Sequence, residues 1–169
     1  MRIGLMADTH DHLTATAALL RRISTADVGM VLHAGDFCAP FSLRPFAEAR
    51  IALAGVFGRN DGDREGLLAA AAANVGMEIY ESPHSLEIGG KKILLVHDIG
   101  EVHQRSLSAH HYVIHGCVHQ VEMKDRGGSL LINPGEACGW VYGSPTAAIL
   151  DLDTREVEIL KIDSPETQP

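Results

Sequence analysis

The chain has 169 residues, a formal net charge of −8, and 46% hydrophobic against 21% charged residues. That length fits one globular domain able to bury its own core, and that composition excludes a disordered tail or an extended fibre. An acidic balance with no basic cluster argues against bulk nucleic-acid binding, which depends on Lys and Arg neutralising phosphates.

Residues 2–7 read as a first buried strand that ends at Asp8-Thr9-His10-Asp11-His12. The alternating Ile3 and Leu5 follow Arg2 at once, so no secretory signal is expected. Gly, His or charged residues break every apolar run before the roughly 18 to 20 residues that cross a bilayer. A soluble cytoplasmic protein without a membrane segment is the expectation. Residues 13–26 then carry Leu19, Leu20 and Ile23 at helical spacing.

This strand, polar loop and helix unit recurs. Residues 29–33 form a short apolar strand ending at Ala34-Gly35-Asp36, followed by a helix with Leu43, Phe46 and Ala47. Residues 51–56 form a third strand, Gly58-Arg59-Asn60-Asp61-Gly62 its loop, and residues 64–75 a helix with Asp63 as its N-terminal signal. Repeated units of this kind predict a largely parallel sheet with its ligand site beyond the carboxyl ends of the strands.

The second half is strand-rich, at residues 85–88, 92–96, 112–114, 121–124, 130–132, 146–150 and 156–162. Turns at Gly89-Gly90, Gly127-Gly128 and Asp153-Thr154 predict antiparallel hairpins and a second sheet. The expected layout is one domain over residues 1–163 and a frayed polar tail over 164–169. Cys38, Cys117 and Cys138 are odd in number and irregularly spaced, which argues against a disulfide framework and fits a reducing compartment.

Carboxylates and imidazoles gather at the strand ends: Asp8 and His10 after the first, Asp36 after the second, and His97 and His119 after two later ones. Mixed oxygen and nitrogen donors suit one or two divalent ions of Mn, Fe, Co, Ni or Zn, whereas a calcium site would be all oxygen. Taken singly, each aspartate could cap a helix and each histidine could be structural. Five such residues at equivalent strand ends favour a metal site. A central carboxylate could bridge two ions about 3.5 to 4 Å apart.

Asp8-x-His10, Gly35-Asp36, the glycine-led loop 58–61, His97 after a strand and Gly116-x-x-His119 resemble, in order and spacing, the calcineurin-like metallophosphoesterases. The chain is most similar to their small bacterial and archaeal phosphodiesterase branch, to which the retromer subunit of eukaryotes is related. The resemblance spans essentially the whole chain, including Ile132-Asn133-Pro134-Gly135 and the closing strands. It implies an α/β four-layer sandwich of two mixed β-sheets flanked by helices. It also implies a site in which Asp8, His10 and His119 bind one ion, Asp36 bridges, and a second ion takes Asp36, an Asn, His97 and a further His.

Two of those second-ion positions are altered. Gly58-Arg59-Asn60-Asp61 places Arg59 in the slot of the ligand Asn, with Asn60 one position late, and Cys117 stands where the further His is expected. Asp98-Ile99 also follows His97 where many relatives have Gly-His. A weakened or remodelled second site is expected, with Asn60 reaching in by a loop shift or Arg59 turning positive charge toward phosphate. Cys117 is a candidate thiolate ligand, and a buried filler is its alternative; a solvated loop charge is the alternative for Arg59.

The resemblance implies a metal-dependent phosphoric ester hydrolase, a manganese-type phosphodiesterase first, with in-line attack on phosphorus by metal-bound hydroxide. The alternative is a weakly active or inactive scaffold of this fold that binds partners. A small phosphate-ester substrate is the expected partner, and a homo-oligomer stays open. His12 and His33 could orient ligands or serve turn and core roles. Cys38 reads as packing, Asp61 as orienting its loop, and His103, His110, His111 and His115 as solvated or structural. Trp140 and Tyr142 could line a pocket or an oligomer contact.

Overall fold

A computed structural model describes residues 1–163, so the tail expected at 164–169 lies outside the described residues. Alternation along β1 (Arg2–Met6) sets the layering, because successive side chains of a strand point to opposite faces. Ile3 and Leu5 enter one core, and Met6 enters another on the far side. Gly4 shares the face of Met6, where a Cβ would meet Ile23 Cγ2 at 3.0 Å, so its bareness lets a helix lie close.

That helix is α1 (Leu13–Ser24), after which come β2 (Met30–His33), a 3-10 turn at Pro40–Leu43, α2 (Arg44–Ala49), β3 (Ala52–Val56), α3 (Arg64–Ala72) and β4 (Met77–Tyr80). The second half supplies β5 (His84–Ile88), β6 (Lys91–Leu95), α4 (Gln104–Ser108), β7 (Tyr112–Ile114), β8 (Val121–Arg126) and β9 (Ser129–Pro134). It closes with β10 (Thr146–Asp151) and β11 (Val157–Lys161).

The first sheet runs β11-β10-β1-β2-β3-β4, parallel from β1 to β4, with β10 and β11 added antiparallel. The second runs β5-β6-β7-β9-β8, parallel through β6, β7 and β9. The three expected hairpins form as β5/β6, β8/β9 and β10/β11.

Four layers follow from where the apolar faces go. Leu19, Leu20 and Ile23 of α1, Phe46 of α2 and Leu67 of α3 cover the outer face of the first sheet through Met6, Val31 and Leu53. Ile3, Leu5, Leu32, Val56, Leu95, Ile114, Ile132 and Leu150 fill the space between the sheets. Leu107 of α4 covers Leu94, Val96, Val113 and Leu131 on the outer face of the second sheet. Each large side chain so buried contributes about 1.5 to 3 kcal/mol, and the sandwich expected from the resemblance is the fold.

Two elements escape the sequence reading, β4 and α4. β4 has four residues with exposed Glu78 among them, and α4 has five with only Leu107 buried, so neither offers a clear period. The helix expected to reach residue 75 ends at Ala72, where Asn74 Nδ2 donates to Ala70 O and the chain reverses at Gly76. Among the described residues no helix is long and apolar enough to cross a membrane.

Candidate metal centre

Parallel strands from both sheets deliver their following loops to one end of the sandwich. Asp8 and His10 follow β1, Asp36 follows β2, the loop 58–61 follows β3, His97 follows β6, and His119 lies beyond β7. Backbone bonds stitch these loops together: Asp8 N to Gly35 O at 3.0 Å, His10 N to Asp36 O at 3.0 Å, and Gly116 N to His97 O at 3.0 Å. The chain is bent hard to do so. Asp8, His10, Asp36 and His119 all have positive φ, of 53, 39, 63 and 61°, a region that side chains with a Cβ seldom occupy.

The hydrogen bonds decide which imidazole nitrogens are free. His97 Nδ1 lies 2.8 Å from Ala34 O; a carbonyl only accepts, so Nδ1 carries the proton and Nε2 keeps its lone pair. His119 Nδ1 likewise donates to Glu136 Oε2 at 2.8 Å. His97 Nε2 then faces Asp36 Oδ2 at 3.4 Å, His119 Nε2 faces Asp8 Oδ1 at 3.7 Å, and His10 Nε2 lies 3.5 Å from Asp36 Oδ2. The Nε2 atoms of His10 and His97 are buried without a hydrogen-bond partner.

Two overlapping groups result, Asp8–His10–His119 and Asp8–Asp36–His97, each with ligand atoms within 4.8 Å of one another. Lone pairs facing carboxylate oxygens across a buried gap repel, and a cation placed between them reverses the sign. The strain shows in Asp8. Desolvation pushes its carboxyl up to about 6, against the pull of His119 and His97. Burial likewise holds His10 below its ordinary value, with Asp36 pulling the other way. A nitrogen and oxygen donor set of this kind fits borderline divalent ions.

The altered positions sort themselves by geometry. Asp61 accepts from Gly58 N at 2.6 Å, Cys38 N at 2.7 Å and Asp36 N at 3.3 Å, which folds the loop 58–61 tightly over Asp36. A Cβ on Gly58 would meet Asp36 Oδ1 at 2.2 Å, so only glycine permits the approach. In this turn Asn60 points inward, its N and Nδ2 both 2.8 Å from the Asp36 carboxylate. Arg59 points outward, exposed, and pairs with Asp98 and Glu101. Of the two alternatives for the offset loop, Asn60 is the residue turned toward Asp36 and Arg59 the one turned outward, because the turn anchored by Asp61 brings the next residue round.

Cys117 meets the site through its backbone: its N donates to Asp8 Oδ1 and Oδ2 at 3.3 and 3.2 Å. Its thiol joins neither ligand group among the described residues, and burial raises its pKa, with Arg59 opposing. Cys38 Sγ touches His10 Nδ1 at 3.3 Å. His33 bonds Thr9 Oγ1 and Gly35 N at 3.2 Å each, behind the two aspartates. His12 bonds Cys138 O at 2.7 Å and stacks on Trp140, away from the ligands.

The sequence profile of the calcineurin-like phosphoesterase superfamily domain matches residues 1–155. The chain belongs to that family. Within it, the chain is 32% identical over 159 residues to a phosphodiesterase of Methanocaldococcus jannaschii, covering 92% of this chain and 96% of that protein. The solved structure of an archaeal phosphodiesterase superposes with a TM-score of 0.85 at 31% identity, over 96% of this chain and 100% of the other. Vps29 of Entamoeba histolytica, solved in complex with zinc, shares the fold at a TM-score of 0.65 and 19% identity, over 96% and 99% of the two chains.

Family membership fits the strand-end candidate residues but does not point to Glu136. This buried carboxylate touches His119 and escapes the sequence reading, although a signal exists: it is the one charge in the run Ser129 to Cys138. Burial raises its pKa, but bonds from His119, Tyr142 and Val141 outweigh that and hold it below the ordinary value.

Proposed function

We propose that this protein is a metal-dependent phosphodiesterase with one well-formed ion site and a remodelled neighbour. The observation that supports the reading is the convergence of partnerless imidazole nitrogens, that of His97 left unprotonated by its Nδ1–H bond to Ala34 O, on buried carboxylate oxygens. Asp8, His10 and His119 would hold one ion with Asp36. Asp36, His97 and Asn60 would hold the other, Asn60 turned so that its carbonyl oxygen faces the ion, while the Cys117 N–H orients the Asp8 carboxylate and its sulfur stays outside the ligand set. Divalent ions bound here supply Lewis acidity, which polarises a phosphoryl oxygen and acidifies a water.

The protein groups do the rest. The loops hold both carboxylates, buried, at the end of the sandwich that the two sheets share. Arg59 lies at the rim and is neutralised by Asp98 and Glu101, so its guanidinium engages phosphate only by leaving that pair. The mixed nitrogen and oxygen donor set admits manganese among the divalent ions.

Hydrolysis of a generic aryl phosphodiester with Mn tests the reading. Wild-type turnover that falls about 100-fold or more in Asp36→Asn is expected, the scale of removing a group that stabilises transition-state charge. No turnover with Mn, Co, Ni, Zn or Fe would sink the enzyme reading and leave a partner-binding scaffold. Metal analysis after buffer exchange is expected to find one ion per chain retained; two tightly held ions would overturn the remodelled second site.

A further inference from the structure

Beside the ligand groups lies a third cluster, His119–Glu136–Cys138, whose ligand atoms also lie within 4.8 Å of one another. Its geometry does not suit an ion of its own. Both oxygens of Glu136 are already engaged: Oε1 accepts from Tyr142 N at 2.5 Å and Val141 N at 3.1 Å, and Oε2 accepts from His119 Nδ1 at 2.8 Å and Val141 N at 3.0 Å. The Cys138 thiol donates to the same Oε2 at 3.5 Å and, with desolvation as the chief cause, has its pKa pushed up to about 12, so it stays protonated. Every partner is a donor. Glu136 therefore serves as an acceptor-only carboxylate, 1% exposed, facing a ligand and a loop.

The loop it gathers also reaches the backbone of His10, the other histidine of the same ion site. Trp140 Nε1 donates to His10 O at 3.4 Å, its ring stacks on His12 at 4.2 Å, and His12 Nδ1 lies 2.7 Å from Cys138 O. His10 and His119 stack on each other at 5.1 Å. One short segment, 136–142, thus braces both histidines from behind.

We propose that Glu136 is the positioning residue of the first ion site, holding His119 as the Nδ1–H tautomer so that Nε2 is fixed toward the ion while the same carboxylate secures the 139–142 loop. This rests on the metal-centre reading above. A carboxylate behind a ligating imidazole sets the ring's tautomer and orientation and raises its basicity, and its loss typically costs 10- to 100-fold in metal affinity.

The test is Glu136→Gln in the full chain, which keeps volume and removes charge. Zinc affinity is measured by competition with a chromophoric chelator, and the visible spectrum is recorded with Co(II). A 10- to 100-fold weaker affinity and an altered Co(II) spectrum are expected. Wild-type affinity and spectrum, with only the thermal midpoint of the metal-free protein lowered, would overturn the proposal and reduce Glu136 to a loop anchor. Should the variant not fold, long-range proton–nitrogen NMR on metal-free wild type decides: a proton on His119 Nδ1 is expected, and one on Nε2 overturns the proposal. Wild-type protein that binds neither Zn nor Co would instead overturn the metal centre itself.

Discussion

His33 shows how a residue that touches no candidate ion still governs the site. Its ring is fully buried, stacked on Phe37 at 3.9 Å, and takes the proton of Gly35 N on Nδ1 while Nε2 donates to Thr9 Oγ1. Thr9 Oγ1 in turn donates a hydrogen bond to Asp36 O at 3.3 Å. The chain of bonds requires a neutral ring, and desolvation, with His97 and His10 adding to it, holds the His33 pKa well below its ordinary value. Above about pH 6.5 neither the folded nor the unfolded chain protonates this ring; below it only the unfolded chain does. Stability is therefore fully present above that pH and lost as pH falls, at up to about 1.4 kcal/mol per pH unit for this one proton. Asp8, with a raised pKa, contributes the opposite slope below about pH 6, so the comparison must be made against a variant. Denaturant unfolding in EDTA at two pH values, one on each side of that point, is expected to show wild type gaining more stability, or losing less, from the lower to the higher pH than His33→Gln does. Equal dependence in the two proteins would refute the assignment.

At the scale of elements, the candidate site residues sit on the loops rather than the strands, at a cost. Left-handed backbone at four of the five strand-end candidates stores about 1 to 3 kcal/mol each, which persists because cross-loop hydrogen bonds over-determine the conformation. The segment 136–142 is one such brace, and it carries Trp140, the chain's single tryptophan, with 62% of its surface exposed. Because the indole N–H bonds the His10 carbonyl, an ion that tightens His10 must alter the indole's surroundings. Titration with Zn is expected to change tryptophan fluorescence, saturating with the first ion and vanishing in His119→Ala. Bound metal with an unchanged emission spectrum would show the loop to be uncoupled from the site.

Across the whole molecule, the core between the sheets holds together two sets of strands whose ends make one site. Leu150 is fully buried there and, in the antiparallel pairing of β10 with β1, lies opposite Ile3, at the end of the sandwich remote from the ligands. Leu150→Ala is expected to lower the unfolding free energy by about 2 to 5 kcal/mol while the folded protein keeps wild-type ion affinity. Affinity that falls along with stability would mean that the sheets' relative placement is softer than the packed core implies.

Much of this was legible in the chain itself. Period-2 and period-3.6 patterns marked the neighbourhoods of ten of the eleven described strands and the long helices, since these depend on residues close in sequence, while the four-residue β4 and five-residue α4 were too short to show a period. The residue types at the strand ends suggested metal chemistry for the same reason. What only the tertiary structure decided is orientation. Whether Arg59 or Asn60 faces Asp36 depends on Asp61 gathering amides from two loops, and the free nitrogen of His97 depends on a carbonyl 63 residues away. The part played by Glu136 depends on an imidazole 17 residues distant and on amides beyond a turn. Such contacts are set by how the sheets and loops pack, and no local pattern in the sequence encodes them.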